Sequence, residues 1–153
     1  MIRAIGANLF VSPEQIVEKS ITLANADKTQ RIGVAGPDGL TAMTALCRKG
    51  FDHVEYVRRA TCHCADEASD VLLIAGLMQP EDLRALIIGA CHLLNDGGAL
   101  VVQLGSRGED ALVRAALTAA GMTVTSSVFE LSAGCLVTHT VERTAVQQRR
   151  LAG

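Results

Sequence analysis

Apolar positions along the chain change their spacing several times, and each change marks an element. Residues 12–27 begin with Ser12, Pro13 and Gln15, the signature of a capping box with proline in the first turn, and Val11 and Ile16 stand where a hydrophobic staple would close it. Ile16, Val17, Ile21, Leu23 and Ala24 then recur at helical spacing. Residues 31–35 are a short apolar strand, 36–39 (Gly36, Pro37, Asp38, Gly39) a turn, and 40–49 a helix. That helix presents Met43, Ala45, Leu46 and Cys47 to the sheet and ends at Gly50. Residues 52–58 alternate as a second strand, returning parallel to the first through a right-handed crossover.

The segment 59–69 is polar, and 70–75 is a continuous apolar run of strand length, the pattern of a strand covered on both faces. Pro80, Glu81 and Asp82 open a helix whose buried face is Leu83, Leu86, Ile87, Ala90, Cys91 and Leu94, and Asn95, Asp96, Gly97 and Gly98 stop it. A strand over 99–104, a helix over 109–120 closed by Gly121, and two strands over 122–131 and 134–142 follow, the last two joined tightly at 132–134 as a hairpin. The pattern predicts an α/β fold: a three-layer αβα sandwich on a mainly parallel six-stranded sheet with a C-terminal antiparallel hairpin. The pattern leads one to expect a single domain over residues 1–142, including the N-terminal helix 12–27, and a flexible polar tail over 143–153.

Composition narrows the function classes. With 153 residues, 49% of them hydrophobic, 20% charged and a formal net charge of −2, the chain is an ordinary globular domain. It carries no basic excess and only 3% aromatic residues, so no nucleic-acid partner is expected. No apolar run approaches the ~20 residues that span a bilayer, so no membrane is expected either. Residues 1–10 carry one arginine and an apolar stretch broken by Gly6 and Asn8, which does not read as a signal peptide. Five cysteines without framework spacing indicate reduced thiols and a cytoplasmic setting.

From strand one to the hairpin the pattern resembles the class I S-adenosylmethionine-dependent methyltransferase family, in a degenerate and shortened form. The carrying residues are 31–41 as strand and glycine loop, 69–76 and 80–98 as strand and helix, 99–104, 109–121, and the hairpin 123–141. The segment from Asn95 to Val102 looks much like the family's Pro-Gly-Gly helix stop and following strand. The resemblance implies the spatial strand order 2-1-3-4-6-5 in this chain's numbering, with a helix-strand-helix section deleted between strand two and residue 70. It places cofactor contacts at Ala35, Gly36, Asp38, Gly39, Arg58 and Leu77. S-adenosylmethionine is the cofactor it implies, but the motif residues are mostly missing. Gly33 stands where the family has an acid before its glycine loop. Arg58 and Arg59 stand where an acid binds ribose hydroxyls, and Ile74 to Met78 are apolar where a substrate-contacting polar residue is usual.

Beside the resemblance, the residues themselves keep other readings open. The turn 36–39 is either simple turn chemistry or an anion site at a helix N-terminus. Arg58 and Arg59 suit a 2′-phosphate, although no Gly-x-Gly-x-x-Gly accompanies them. Cys62, His63 and Cys64, followed by Asp66 and Glu67, are the one cluster with metal-ligand or thiol chemistry, but one intervening residue is too few for a closed zinc site. Gln79 and Gln103 are the polar residues nearest the strand ends. His53 and His139 lie in strands as surface or satisfied histidines. Three functions follow: a methyltransferase-like domain that has lost catalysis and binds a ligand or protein, an active small methyltransferase, or a metal- or thiol-responsive protein. A homodimer or a protein partner is expected, through an edge strand, the N-terminal helix or the apolar rim Leu77–Met78.

Overall fold

A computed structural model describes residues 12–57, 68–106, 108–131 and 135–143. In chain order the elements are α1 (Pro13–Ala24), β1 (Ile32–Ala35), α2 (Gly39–Arg48), β2 (Val54–Tyr56), β3 (Ser69–Ile74), α3 (Pro80–Ala90), a short 3-10 turn (Cys91–Leu93), β4 (Leu94–Gln103), α4 (Glu109–Ala119), β5 (Met122–Glu130) and β6 (Leu136–Arg143). The six strands form one sheet in the order β2-β1-β3-β4-β6-β5, as the resemblance implied. β2, β1, β3 and β4 run parallel, and β6 joins β4 antiparallel and carries β5 as the outer strand.

The two faces of the sheet are built by strict alternation. Leu72, Ile74, Leu100, Val102, Val137 and Val141 pack with Leu83 and Ile87 of α3 and Val113 and Leu117 of α4. Val71, Leu73, Ala75 and Val101 point the other way, onto Val17 of α1 and Ala42, Ala45 and Leu46 of α2. A strand buried on both sides has to be apolar at every position, which is why β3 reads as an unbroken run. Ser12 accepts from the Gln15 amide at 3.2 Å and Gln15 Oε1 accepts from the Ser12 amide at 3.1 Å, so the capping box forms as the sequence predicts.

Several boundaries shift, each for a physical reason. α1 ends at Ala24 rather than 27, because Asn25 turns left-handed (φ 51°) and its N–H caps the carbonyls of Ile21 and Thr22. β2 spans only Val54–Tyr56, since its one neighbour, β1, is itself four residues long. Along α2, Ala42 takes the buried position and Cys47 faces solvent. The helix α3 stops at Ala90, and Cys91–Leu93 tighten before Leu94 pairs with Ser69. The next pair is Val71 with Ala99, so residues 95–98 bulge out of the ladder rather than merely ending a helix. The asparagine in that bulge is anchored: Asn95 Nδ2 donates to Asp70 Oδ1 at 2.9 Å, and the other oxygen of the same carboxylate accepts from the Arg31 amide at 3.1 Å.

Candidate functional site

At the carboxyl end of the parallel strands, the turn after β1 meets the turn after β3. Gly36 has φ +95° and Gly76 φ +96°, conformations that glycine alone adopts without strain. The two turns interlock. The Asp38 amide donates to the Ala75 carbonyl at 3.0 Å, and the Ala75 amide donates to the Ala35 carbonyl at 2.9 Å. A side chain at Gly36 would overlap the Ala75 oxygen, and one at Gly76 would lie 3.0 Å from both the Asp38 nitrogen and its carboxylate. The Gly76 amide is also committed, donating to Gln103 Oε1 at 3.0 Å from the end of β4. Gln103 therefore ties β4 to the β3 turn, a strand-end role the sequence left open.

The first turn of α2 is covered from the other side. Gly39 lies against the Tyr56 ring, with Cε2 only 2.5 Å from where a Cβ would stand. Asp38 precedes the helix without a side-chain capping bond and is exposed. A carboxylate at a helix N-terminus complements the dipole and repels a second anion. Of the residues to which the resemblance assigned a cofactor, Ala35, Gly36, Asp38 and Gly39 thus come together, Ala35 fully buried under the sheet. Leu77 follows Gly76 directly and is 58% exposed, as is Leu40 on the first turn of α2. Each of these exposed leucines thus follows one of the two interlocked turns in the chain. Arg58, Arg59, Cys62, His63, Cys64, Asp66 and Glu67 lie outside the described residues. Among the described residues no group of three or more His, Cys, Asp or Glu side chains is placed to hold a metal. Cys47, Cys91 and Cys135 are not joined in disulfides, and burial pushes the Cys91 thiol up to about 12. A cleft of about 240 Å³ lies at the opposite, amino end of the strands, lined by Arg31, Ile32, Asp52, His53, Val54, Glu55 and Ser69.

His139, read from the sequence only as a surface or satisfied strand histidine, is buried at the centre of a second polar cluster whose other members the sequence reading did not pick out. His139, wholly buried in β6, faces α4 and places Nδ1 2.9 Å from Ser127 Oγ on β5 and Nε2 2.9 Å from Asp110 Oδ1 on α4. Arg114, one helical turn beyond Asp110, closes the ring: its Nε donates to Asp110 Oδ2 at 3.0 Å and its Nη2 to Ser127 Oγ at 2.7 Å. The carboxylate orders the protons: Asp110 only accepts, so the neutral imidazole keeps its proton on Nε2, facing Oδ1, and Nδ1 accepts from the Ser127 hydroxyl, whose own lone pair accepts from Arg114. The Nε2 to Oδ1 contact is short yet off the line of a well-aligned hydrogen bond. Burial is the main influence on His139 and lowers its pKa below the ordinary 6.5; the Asp110 charge opposes this and the Arg114 charge adds to it. The signal available in the sequence was weak: an Asp and an Arg four apart on α4, and one histidine in an apolar strand.

No protein-family model and no curated protein sequence matches the chain. Solved structures do. The ribosomal protein L11 methylase from Lactobacillus delbrueckii subsp. bulgaricus superposes with a TM-score of 0.54 at 13% identity, over 85% of this chain and 77% of that one. The SAM-bound structure of CalS10, an amino pentose methyltransferase from Micromonospora echinaspora, gives 0.53 at 13% identity, over 91% and 95% of the two chains. Magnesium protoporphyrin IX methyltransferase from Synechocystis PCC 6803, with bound SAM, gives 0.55 at 10% identity, over 86% and 79%. The fold is therefore the Rossmann-like fold of the class I S-adenosylmethionine-dependent methyltransferases. Among the described residues no helix is long and apolar enough to cross a membrane.

Proposed function

We propose that the chain is a methyltransferase-like domain that has lost methyl transfer and serves, in the cytoplasm, as a binding module for a protein partner or a second copy of itself. The observation that carries this reading is the interlock of the two glycine turns. In an open α/β sheet a ligand sits beyond the carboxyl ends of the strands, on free backbone amides at the helix N-terminus. Here the Asp38 amide is spent on Ala75, the Gly76 amide on Gln103, and Tyr56 covers Gly39. The segment after β3 also supplies no polar side chain before Gln79. What the turns leave exposed are Leu40 and Leu77, large apolar side chains suited to association with a partner.

Titration with S-adenosylmethionine, and separately with its demethylated product, tests the first half. Calorimetry at tens of micromolar protein is expected to give no saturable heat; a micromolar Kd for either overturns the loss of function. The alternative of an active small methyltransferase is favoured by the SAM-bound relatives in fold, CalS10 and the protoporphyrin enzyme, and that Kd decides between the two. For the second half, Leu40→Asp combined with Leu77→Asp is expected to leave unfolding within about 0.5 kcal/mol of the parent, since both sites are exposed. The pair should weaken self-association at least ten-fold by sedimentation equilibrium, or weaken capture of a purified partner to the same extent. An unchanged association constant would place the contact elsewhere.

A further inference from the structure

The ring joins Asp110 and Arg114 of α4 to Ser127 and His139 of the β5–β6 hairpin, shares no residue with the glycine turns, and nothing in the binding role uses it. We propose that Ser127 is a nucleophilic hydroxyl, with His139 as its general base, that accepts an acyl group from an activated carboxylic ester.

Four observations point to this chemistry rather than to an inert polar plug. A hydroxyl, an imidazole and a carboxylate stand in series, each on its own side of the ring, at 2.9 Å and 2.9 Å. That is the arrangement in which a base takes a hydroxyl proton while the carboxylate steadies the imidazolium that forms. The tautomer required, with a lone pair on Nδ1, is the one favoured by the Asp110 carboxylate, an acceptor only, 2.9 Å from Nε2. Arg114 also brings a fixed positive charge to 2.7 Å from Oγ, which eases loss of the hydroxyl proton to the imidazole. Finally, Ser127 is only half-buried, and the exposed Phe129 lies two residues along the same strand, opposite Val137 on the register that also sets Ser127 opposite His139. An apolar acyl or aryl group has a surface to rest on there.

In the step itself, the Ser127 Oγ forms a bond to the ester carbonyl carbon as its proton passes to His139 Nδ1. The Nε2–H of the resulting imidazolium faces Asp110 Oδ1, an oxygen with no other hydrogen bond, and the misaligned contact straightens as charge builds. The tetrahedral adduct then collapses. The bond to the leaving oxygen breaks, that oxygen takes the proton from Nδ1 and departs as the alcohol, and the acyl group stays on Ser127. Water deprotonated by the same nitrogen completes hydrolysis to the carboxylic acid and restores the hydroxyl.

The experiment uses p-nitrophenyl acetate with the full chain near pH 8, following nitrophenolate release and intact mass. The expected result is a burst of one equivalent per chain with a single acetyl group mapped to Ser127 by peptide analysis. Ser127→Ala should remove the burst, and Ser127→Cys should restore acylation. His139→Gln should slow the burst about 100-fold or more. Asp110→Asn should lower the plateau rate and move the apparent pKa of the rate profile downward, which loss of packing alone would not do. Circular dichroism confirms that each variant is folded. No burst from the folded parent, or acetylation that survives Ser127→Ala, overturns the proposal. Because no arm involves S-adenosylmethionine, its outcome is independent of the proposed binding role.

Discussion

Replacing Gly36 with alanine is expected to lower stability by about 3–5 kcal/mol, beyond the range of most single substitutions. Two effects add. The backbone at Gly36 has φ +95°, a conformation that costs a residue bearing a Cβ about 1–3 kcal/mol. The new methyl would also overlap the Ala75 carbonyl oxygen. That carbonyl cannot retreat, because it accepts from Asp38 while its own residue's amide is held by Ala35. Gly97 isolates the second effect. It too has positive φ, at +76°, but nothing lies within 4 Å of the place its Cβ would take. Gly97→Ala should therefore cost only about 1–2 kcal/mol, the left-handed penalty alone. Urea unfolding of the two variants, compared at equal m-values, reads the difference directly. Equal losses at the two positions would mean that the turns after β1 and β3 are not in contact, and the case for a closed cofactor site would fall with them.

The order of elements was legible because the sheet forces it. A strand buried on both sides must be apolar throughout, and residues 70–75 are; helices lying on its faces must be amphipathic with glycine stops, and 40–49 and 109–120 are. What pattern could not reveal was pairing detail. Residues 95–98 read as the stop of a helix, yet they leave the ladder as a bulge held by Asp70, a contact across 25 positions of chain. The place of the turn 36–39 was equally legible, since a glycine turn opening a helix after β1 has one place in this fold. Its condition was not. That the Asp38 amide meets the Ala75 carbonyl depends on how closely β1 and β3 approach at their ends, and no residue type announces it.

The hairpin shows the same limit more sharply. Counting by twos from Val124 puts Ser126 and Val128 on the helix-facing side of β5. In the structure the register shifts between Val124, opposite Val141, and Ser126, opposite Thr140, leaving Thr125 as the extra residue. Thr125 settles by donating its hydroxyl to the Thr140 carbonyl at 3.0 Å. Every later residue consequently changes face, so that Ser127 stands opposite His139 and Phe129 opposite Val137, while Val128 is turned out to 49% exposure. One inserted residue thus creates the polar ring. A single-residue bulge leaves no mark in composition or periodicity, which is why Asp110, Arg114 and Ser127 were invisible as a group.

That ring sets the expected response of the protein to acid. Burial lowers the pKa of His139 in the folded state below its ordinary 6.5, with Asp110 opposing and Arg114 reinforcing. The unfolded chain therefore binds a proton at this site before the folded one does. Stability contributed by the neutral imidazole is fully present above about pH 6.5 and is lost as pH falls from there towards the folded-state value. One proton limits the slope to about 1.4 kcal/mol per pH unit. The charged groups around His139 determine what protonation does. A second cation beside Arg114 is repelled, and a proton on Nδ1 removes the acceptor to which the Ser127 hydroxyl donates. His139→Gln keeps an amide N–H towards Asp110 but cannot titrate. Its unfolding free energy, measured by urea at intervals from pH 8 to pH 5, should lie below that of the parent at pH 8 by about 1–3 kcal/mol, the cost of disturbing a buried polar network. The gap should narrow steadily below pH 6.5, because the parent loses a contribution that the variant never had. A gap that instead widens as pH falls from 8 would show that the folded protein holds this proton more tightly than the unfolded chain, with His139 charged and paired with Asp110 as an ion pair. That outcome would remove the neutral base on which acyl transfer to Ser127 depends.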